Sequence, residues 1–267
     1  MKAILFDLDG VLYEGERLIE GAQETLAWVR GQSIPHLFLT NTSSRPRSAI
    51  AAKLAGMGIV VAASELLTPP AAAAAWLRAH AVEPVALFVP KATRGEFEGL
   101  ELLPEHAESG AAAVVVGDMG ADWSYDRLNR AFRLLMDGGP RLIALGMTRY
   151  WQSPDGLRLD AGAMVTALSF AAGTEPQVLG KPDRAFFETA LQRLNVTPAD
   201  TLMVGDDIVG DVQGAQRAGF KAALVRTGKF RPEDLDLGIQ PDAVFHSVAD
   251  LPAWWASTQS QDAPGGG

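Results

Sequence analysis

Cysteine is absent from all 267 residues. Disulfides, zinc–thiolate centres, iron–sulfur clusters and cysteine nucleophiles are therefore excluded, and the chain suits a reducing compartment. Positive charge is also scarce. Lys and Arg total 23 against 32 Asp and Glu, a net charge of −9. An acidic chain binds nucleic acid and anionic membrane surfaces poorly, so neither is an expected partner. Long apolar runs are missing too. The longest uncharged apolar stretch, residues 161–174, has 14 residues, whereas a membrane span needs about 20. The N-terminus meets a charge at Asp7, too early for the apolar region of a signal peptide. These absences lead to the expectation of a soluble, cytoplasmic protein.

What is present is ordinary for a folded chain: 48% apolar and 21% charged residues, with length for one large or two modest domains. Short apolar runs at 2–6, 36–39, 85–89, 112–116, 141–145, 177–179, 201–204, 222–225 and 243–245 read as strands. Helical periodicity predicts helices at 19–30, 46–54, 125–136, 163–172, 183–194, 212–218 and from 251 onward. Another follows Pro69-Pro70 and ends near residue 79. Pro154-Asp155-Gly156 reads as a turn. The polar, glycine-rich tail, 259–267, reads as disordered. Strand–helix alternation of this kind argues an α/β fold: a parallel sheet with helices on both faces.

Four carboxylates stand where strands should end. Asp7 and Asp9 follow the first, and Asp206 and Asp211 follow the one at 201–204. Ligands of open parallel sheets bind at the carboxyl ends of strands, so these loops can meet although about 200 residues separate them. Two carboxylates ~4 Å apart repel by about 4 kcal/mol at an effective dielectric near 20. A cation or a proton must accompany such a cluster. All-oxygen ligands suit Mg²⁺. Thr40 and Asn41 end another strand, where a hydroxyl and a backbone N–H can hold a phosphoryl oxygen. Lys181 opens a later helix as a compact positive charge for a phosphate or carboxylate.

Other features carry less. Gly228-Lys229 is not a phosphate-binding P-loop, because Ala223 and Phe230 stand where that motif needs Gly and Ser/Thr. Gly117-Asp-Met-Gly120 lacks dinucleotide-binding spacing. His36, His80, His106 and His246 show no ligand spacing. Trp254-Trp255 reads as the anchor of the terminal helix.

Asp7-Leu-Asp9-Gly, Leu39-Thr40-Asn41, Gly180-Lys181-Pro182 and Gly205-Asp206-Asp207-Ile-Val-Gly-Asp211 stand in that order. The set resembles the four motifs of the haloacid dehalogenase superfamily, over nearly the whole chain. Thr40-Asn41-Thr42-Ser43 and Val225-Arg-Thr-Gly-Lys-Phe-Arg231 look like the branch containing the p-nitrophenylphosphatases. Within that branch, the chain resembles the group of phospholysine phosphohistidine inorganic pyrophosphate phosphatases and their near relatives.

The resemblance implies a Rossmann-like core, residues 1–80 and 176–258, with an α/β cap inserted at 81–175. It implies a phosphatase for a small phosphorylated metabolite, phosphoamino acid or pyrophosphate. Asp7 would be the nucleophile and form an aspartyl-phosphate. Asp9 would protonate the leaving oxygen and then deprotonate water. Thr40 and Lys181 would bind the phosphoryl group. Mg²⁺ would be held by Asp7, the backbone carbonyl of Asp9 and Asp206, with Asp211 supporting its waters or orienting Lys181. Many members of the branch carry an Asn-x-Asp element in the cap, where this chain has Gly146-Met-Thr-Arg149-Tyr150-Trp151. Arg149, Tyr150 and Trp151 are thus the candidates for contact with the leaving group. Cap-mediated dimers occur in the resembled branch, so a homodimer through the cap is the protein partner expected. A phosphomutase, a dehalogenase and a non-catalytic phosphate-binding protein are the alternatives on this fold. Asp9 argues against a dehalogenase, which needs no general acid there.

Overall fold

The computed structural model describes residues 1–153 and 155–261. Its strands are β1 (Ala3–Asp7), β2 (Tyr13–Glu14), β3 (Arg17–Leu18), β4 (His36–Leu39), β5 (Leu66–Leu67), β6 (Val85–Phe88), β7 (Ala113–Val116), β8 (Arg141–Ala144), β9 (Tyr150–Ser153), β10 (Gly156–Leu159), β11 (Gln177–Val178), β12 (Thr201–Gly205), β13 (Lys221–Val225) and β14 (Ala243–Phe245). Its helices are α1 (Ala22–Gly31), α2 (Arg47–Gly56), α3 (Pro69–Ala79), α4 (Tyr125–Met136), α5 (Ala161–Ala172), α6 (Arg184–Leu194), α7 (Gly214–Arg217) and α8 (Leu251–Gln261). None of the described helices is long and apolar enough to cross a membrane. The chain forms two compact units. The first takes residues 1–40, 51–67 and the chain from 190 on; the second takes 41–50 and 68–189.

The first unit is built on a six-stranded sheet in the order β14-β13-β12-β1-β4-β5, parallel throughout. Every residue of β1 is buried. A parallel strand covered on both faces reads as a continuous apolar run rather than an alternation, which is why Ala3-Ile-Leu-Phe shows no period of two. β1 lies between β12 and β4, with Phe6 opposite Val204 and Asp7 opposite Leu39. The residues that follow three adjacent strands, Asp9, Thr40 and Asp206, therefore emerge along one edge of the sheet.

The second unit has its own parallel sheet, β11-β8-β7-β6. Ala131, Leu134 and Leu135 of α4 and Val165 and Leu168 of α5 join strand residues Val114, Val116 and Leu142 in one apolar core. The Ser124 side chain caps α4 by accepting the Arg127 N–H, and Asp160 caps α5 by accepting the Ala161 N–H at 2.6 Å. Gly173, left-handed at φ 64°, closes α5.

Several local expectations shift. The helix expected at 19–30 begins at Ala22, because Gly21 is left-handed at φ 81° and the preceding residues pair as the β2–β3 hairpin. Pro69 and Pro70 lie inside the first turn of α3, where their missing N–H groups cost nothing, and Thr68 is the cap. The turn expected around Pro154 joins two strands, β9 and β10; Pro154 itself lies outside the described residues. The helix expected at 212–218 begins earlier, as a wide π-type turn over Ile208–Gln213. Of the tail expected to be disordered, 259–261 continue α8, and 262–267 lie outside the described residues.

Candidate active site

Asp7 ends β1, and Asp206 follows β12 directly. Both are buried, as is Asp211. Oxygens of the three carboxylates lie within 4.8 Å of one another. Unit charges at that spacing repel by roughly 3 kcal/mol per pair at an effective dielectric near 20.

The loop after β12 explains how Asp211 gets there. The Asp207 side chain accepts the N–H groups of Val209 and Gly210, at 3.0 and 2.7 Å, and so winds the turn that follows. The Asp211 N–H donates to the Asp207 carbonyl, and Asp211 Oδ2 accepts the Asp207 N–H at 3.2 Å. A side chain at Gly205 would put Cβ 2.2 Å from Asp211 Cβ, so only glycine leaves room.

Asp206 is held from the other side. Its Oδ2 accepts the Lys229 backbone N–H at 2.7 Å. Gly10 and Gly228 both sit at positive φ, and a Cβ on either would come within 2.0 and 2.2 Å of that oxygen. The Thr227 hydroxyl donates to the Gly10 carbonyl, and Glu14 accepts the Gly228 N–H. Gly228-Lys229, within the 225–231 stretch, clamps a carboxylate through the Lys229 backbone N–H.

Burial first, then the Asp7 charge, pushes the Asp206 pKa up to about 7. Its other oxygen, Oδ1, is buried with no hydrogen-bond partner among the described residues. A buried orphan acceptor beside two more carboxylates is the environment of a cation ligand. The donors are all oxygen, so the residues fit Mg²⁺. Asp9 keeps contact with solvent, and its carboxyl is not part of the buried cluster. Partial burial and the Asp7 charge raise its pKa, against Lys53 and Lys229.

Thr40 is buried after β4, and its N–H donates to the Leu67 carbonyl. In the second unit, Asn41 clasps Lys181 by its backbone. Asn41 Nδ2 donates to the Lys181 carbonyl and Asn41 Oδ1 accepts the Lys181 N–H, both at 2.8 Å. Lys181 is buried. A Cβ on Gly180 would come within 3.0 Å of the Leu145 carbonyl and 3.3 Å of Asn41 Oδ1, so the glycine before Lys181 admits the clasp. Arg149 immediately precedes β9, which Tyr150 and Trp151 open, all three exposed. The Arg149 guanidinium lies 5.7 Å from the centre of the Tyr150 ring.

Two family models match this chain: haloacid dehalogenase-like hydrolase over residues 4–102, and HAD-hydrolase-like over 178–251. The phospholysine phosphohistidine inorganic pyrophosphate phosphatase of Bos taurus is 38% identical over 239 residues, 88% of this chain and 86% of that protein. The chain belongs to the haloacid dehalogenase-like hydrolases. Among solved structures, this hydrolase is similar to the p-nitrophenyl phosphatase from Archaeoglobus fulgidus, at 28% identity and a TM-score of 0.86, covering 95% of this chain and 98% of that one. The 4-nitrophenylphosphatase from Thermotoga maritima gives 27% identity and a TM-score of 0.85, covering 95% and 97%. These relatives place the hydrolase in the phosphatase branch of the family.

Proposed function

We propose that this hydrolase is a Mg²⁺-dependent phosphatase of a small phosphorylated metabolite, a phosphoamino acid or pyrophosphate, acting through an aspartyl-phosphate. The observation that carries the proposal is the buried Asp7–Asp206–Asp211 cluster at the carboxyl ends of β1 and β12.

Asp7, the Asp9 backbone carbonyl and Asp206 would hold the metal, with Asp211 behind them. When bound, Mg²⁺ supplies the positive charge that offsets repulsion between a carboxylate nucleophile and a phosphate dianion. An Asp7 oxygen attacks phosphorus, and the bond to the leaving atom breaks as that atom takes the Asp9 proton. Asp9, now a carboxylate, takes a proton from water. The water oxygen attacks phosphorus, and inorganic phosphate leaves with Asp7 restored. One difficult displacement becomes two easier ones. The raised Asp9 pKa suits an acid that must hold its proton while its neighbour stays ionised. Thr40 and Lys181 take the role of phosphoryl-binding groups, and Asn41 fixes the Lys181 backbone. Arg149, Tyr150 and Trp151 take that of leaving-group contacts.

The domain division we propose is a core of 1–80 and 176–258 with an inserted cap of 81–175. The enzyme works in the cytoplasm, its partner a second copy of itself through the cap. Exposed Tyr125 and Phe170, 79% and 90% accessible, with a groove of about 210 Å³ lined by Leu128, Phe132 and Leu168, support that pairing.

The test is phosphate release from phosphate esters, phosphoamino acids and pyrophosphate, for wild type and Asp7→Asn, with Mg²⁺ or EDTA. Release that needs both Mg²⁺ and Asp7 is expected. Equal release by Asp7→Asn would overturn the covalent mechanism.

A further inference from the structure

The second unit contains a cavity of about 440 Å³ lined by Asp118, Trp123, Trp151, Arg158, Asp160 and Met164. That volume lies in the range of small-molecule sites, ~300–1,000 Å³. Three separate pieces of chain build it. Asp118 and Trp123 come from the loop after β7, Trp151 and Arg158 from the β9–β10 hairpin, and Asp160 and Met164 from the start of α5.

The walls have a definite chemistry. Trp123 is fixed by a nearly coplanar stack on Phe88, at 5.9 Å and 3°. Trp151 stands opposite Arg158 across the hairpin. Arg158 is paired with Asp155 at 2.6 Å, so its charge is offset. Asp118 and Asp160 are then the charges that remain. Each spends one oxygen on a local backbone bond: Asp118 Oδ1 accepts the Gly120 N–H at 2.9 Å, and Asp160 Oδ1 accepts the Ala161 N–H at 2.6 Å. Partial burial, and to a lesser extent the Asp118 charge, raise the Asp160 pKa, the mark of negative charge gathered where water is thin. The indole N–H of Trp123 is also buried without a hydrogen-bond partner among the described residues.

Carboxylates repel an anion, so this is no phosphate pocket. Indole faces attract a cation, by about 0.5–2 kcal/mol each, and carboxylates accept its N–H groups. We propose that this cavity is a binding site for a small organic cation, an alkylammonium held by Asp118 and Asp160 between the Trp123 and Trp151 rings. The inference shares Trp151 with the leaving-group contacts proposed above, while Asp118, Trp123 and Asp160 belong to this cavity alone.

The test is isothermal titration of the full chain, without Mg²⁺ or any phosphorylated compound, with n-butylammonium chloride, sodium butyrate and potassium chloride. A Kd for n-butylammonium of about 1 mM or tighter is expected, with no binding of butyrate. Asp118→Asn and Asp160→Asn keep an amide oxygen for the Gly120 and Ala161 N–H groups, so the fold survives. Each is expected to weaken n-butylammonium at least tenfold. Trp151→Ala, on an exposed position, is expected to weaken it as well. Absence of binding to wild type, affinity unchanged in both Asn variants, or equal competition by potassium would overturn the proposal. Because no phosphate is released or measured, the failure of either reading leaves the other standing.

Discussion

The Lys229 backbone N–H donates to Asp206 Oδ2 at 2.7 Å across 23 residues of chain. That bond sets the direction of a buried carboxylate whose other oxygen has no partner among the described residues. The glycines on either side, Gly10 and Gly228, have no atoms to spare. The slot is therefore closely packed around Asp206.

Gly228→Ala tests the slot. The added methyl carbon would lie 2.2 Å from Asp206 Oδ2 and 2.4 Å from Gly10 Cα, at φ 68°. The left-handed conformation alone costs an alanine about 1–2 kcal/mol. The Tm is expected to fall by several degrees, and Mg²⁺ affinity, read by titration calorimetry, by at least tenfold. Unchanged Mg²⁺ affinity would show that the clamp does not position Asp206.

Asp206→Asn should separate stability from function. The Asp206 pKa is raised to about 7 by burial and by Asp7. A carboxyl with a raised folded-state pKa is favoured protonated, so its contribution to stability falls as pH climbs from the ordinary value of 3.8 through about 7. The amide removes that loss while its oxygen still accepts the Lys229 N–H. Metal-free Asp206→Asn is expected to melt above metal-free wild type at pH 8, and the gap should close near pH 4. Thermal melts at the two pH values read both effects. The stabilisation that wild type gains from Mg²⁺ should disappear in the variant.

Asp7→Asn is expected to reduce turnover by a factor on the order of 10³ or more, as removal of the proposed nucleophile would, with the fold intact by circular dichroism. After acid quench, labelled phosphate should be found on wild-type protein and not on the variant.

Asn41→Ala removes both bonds to the Lys181 backbone. A buried polar group left unpaired costs about 1–3 kcal/mol. The expected result is a lower Tm together with a kcat/KM reduced at least tenfold. Asn41→Asp keeps the acceptor but sets a carboxylate oxygen against the Lys181 carbonyl, so it should do no better than alanine on either measure.

Phe170→Glu and Tyr125→Glu address the homodimer. Light scattering coupled to size exclusion is expected to give twice the chain mass for wild type and the chain mass for the variants. A monomeric wild type would overturn the pairing.

The chemistry of this chain is largely local in its sequence. The apolar runs at the starts of β1, β4 and β12 are short, uninterrupted and followed at once by Asp7, Thr40 and Asp206, so strand and site residue are read together. The ordered motifs pointed to the family, and the absence of cysteine and of long apolar runs excluded whole classes of chemistry. Local periodicity could not say that Asp7, Asp206 and Asp211 share one buried space, because that depends on β1 lying between β12 and β4, a neighbourhood of strands distant in sequence. Nor could it find the role of Gly228, which needs the position of Asp206, or the Asn41 clasp on Lys181, which joins residues 140 apart. The wide turn over Ile208–Gln213 had no periodic signal, since a side chain, Asp207, winds it. Residue patterns within a few turns of one another determined the elements and the reactive groups. The order of the strands, and the close approach that glycine permits, decided which of those groups meet.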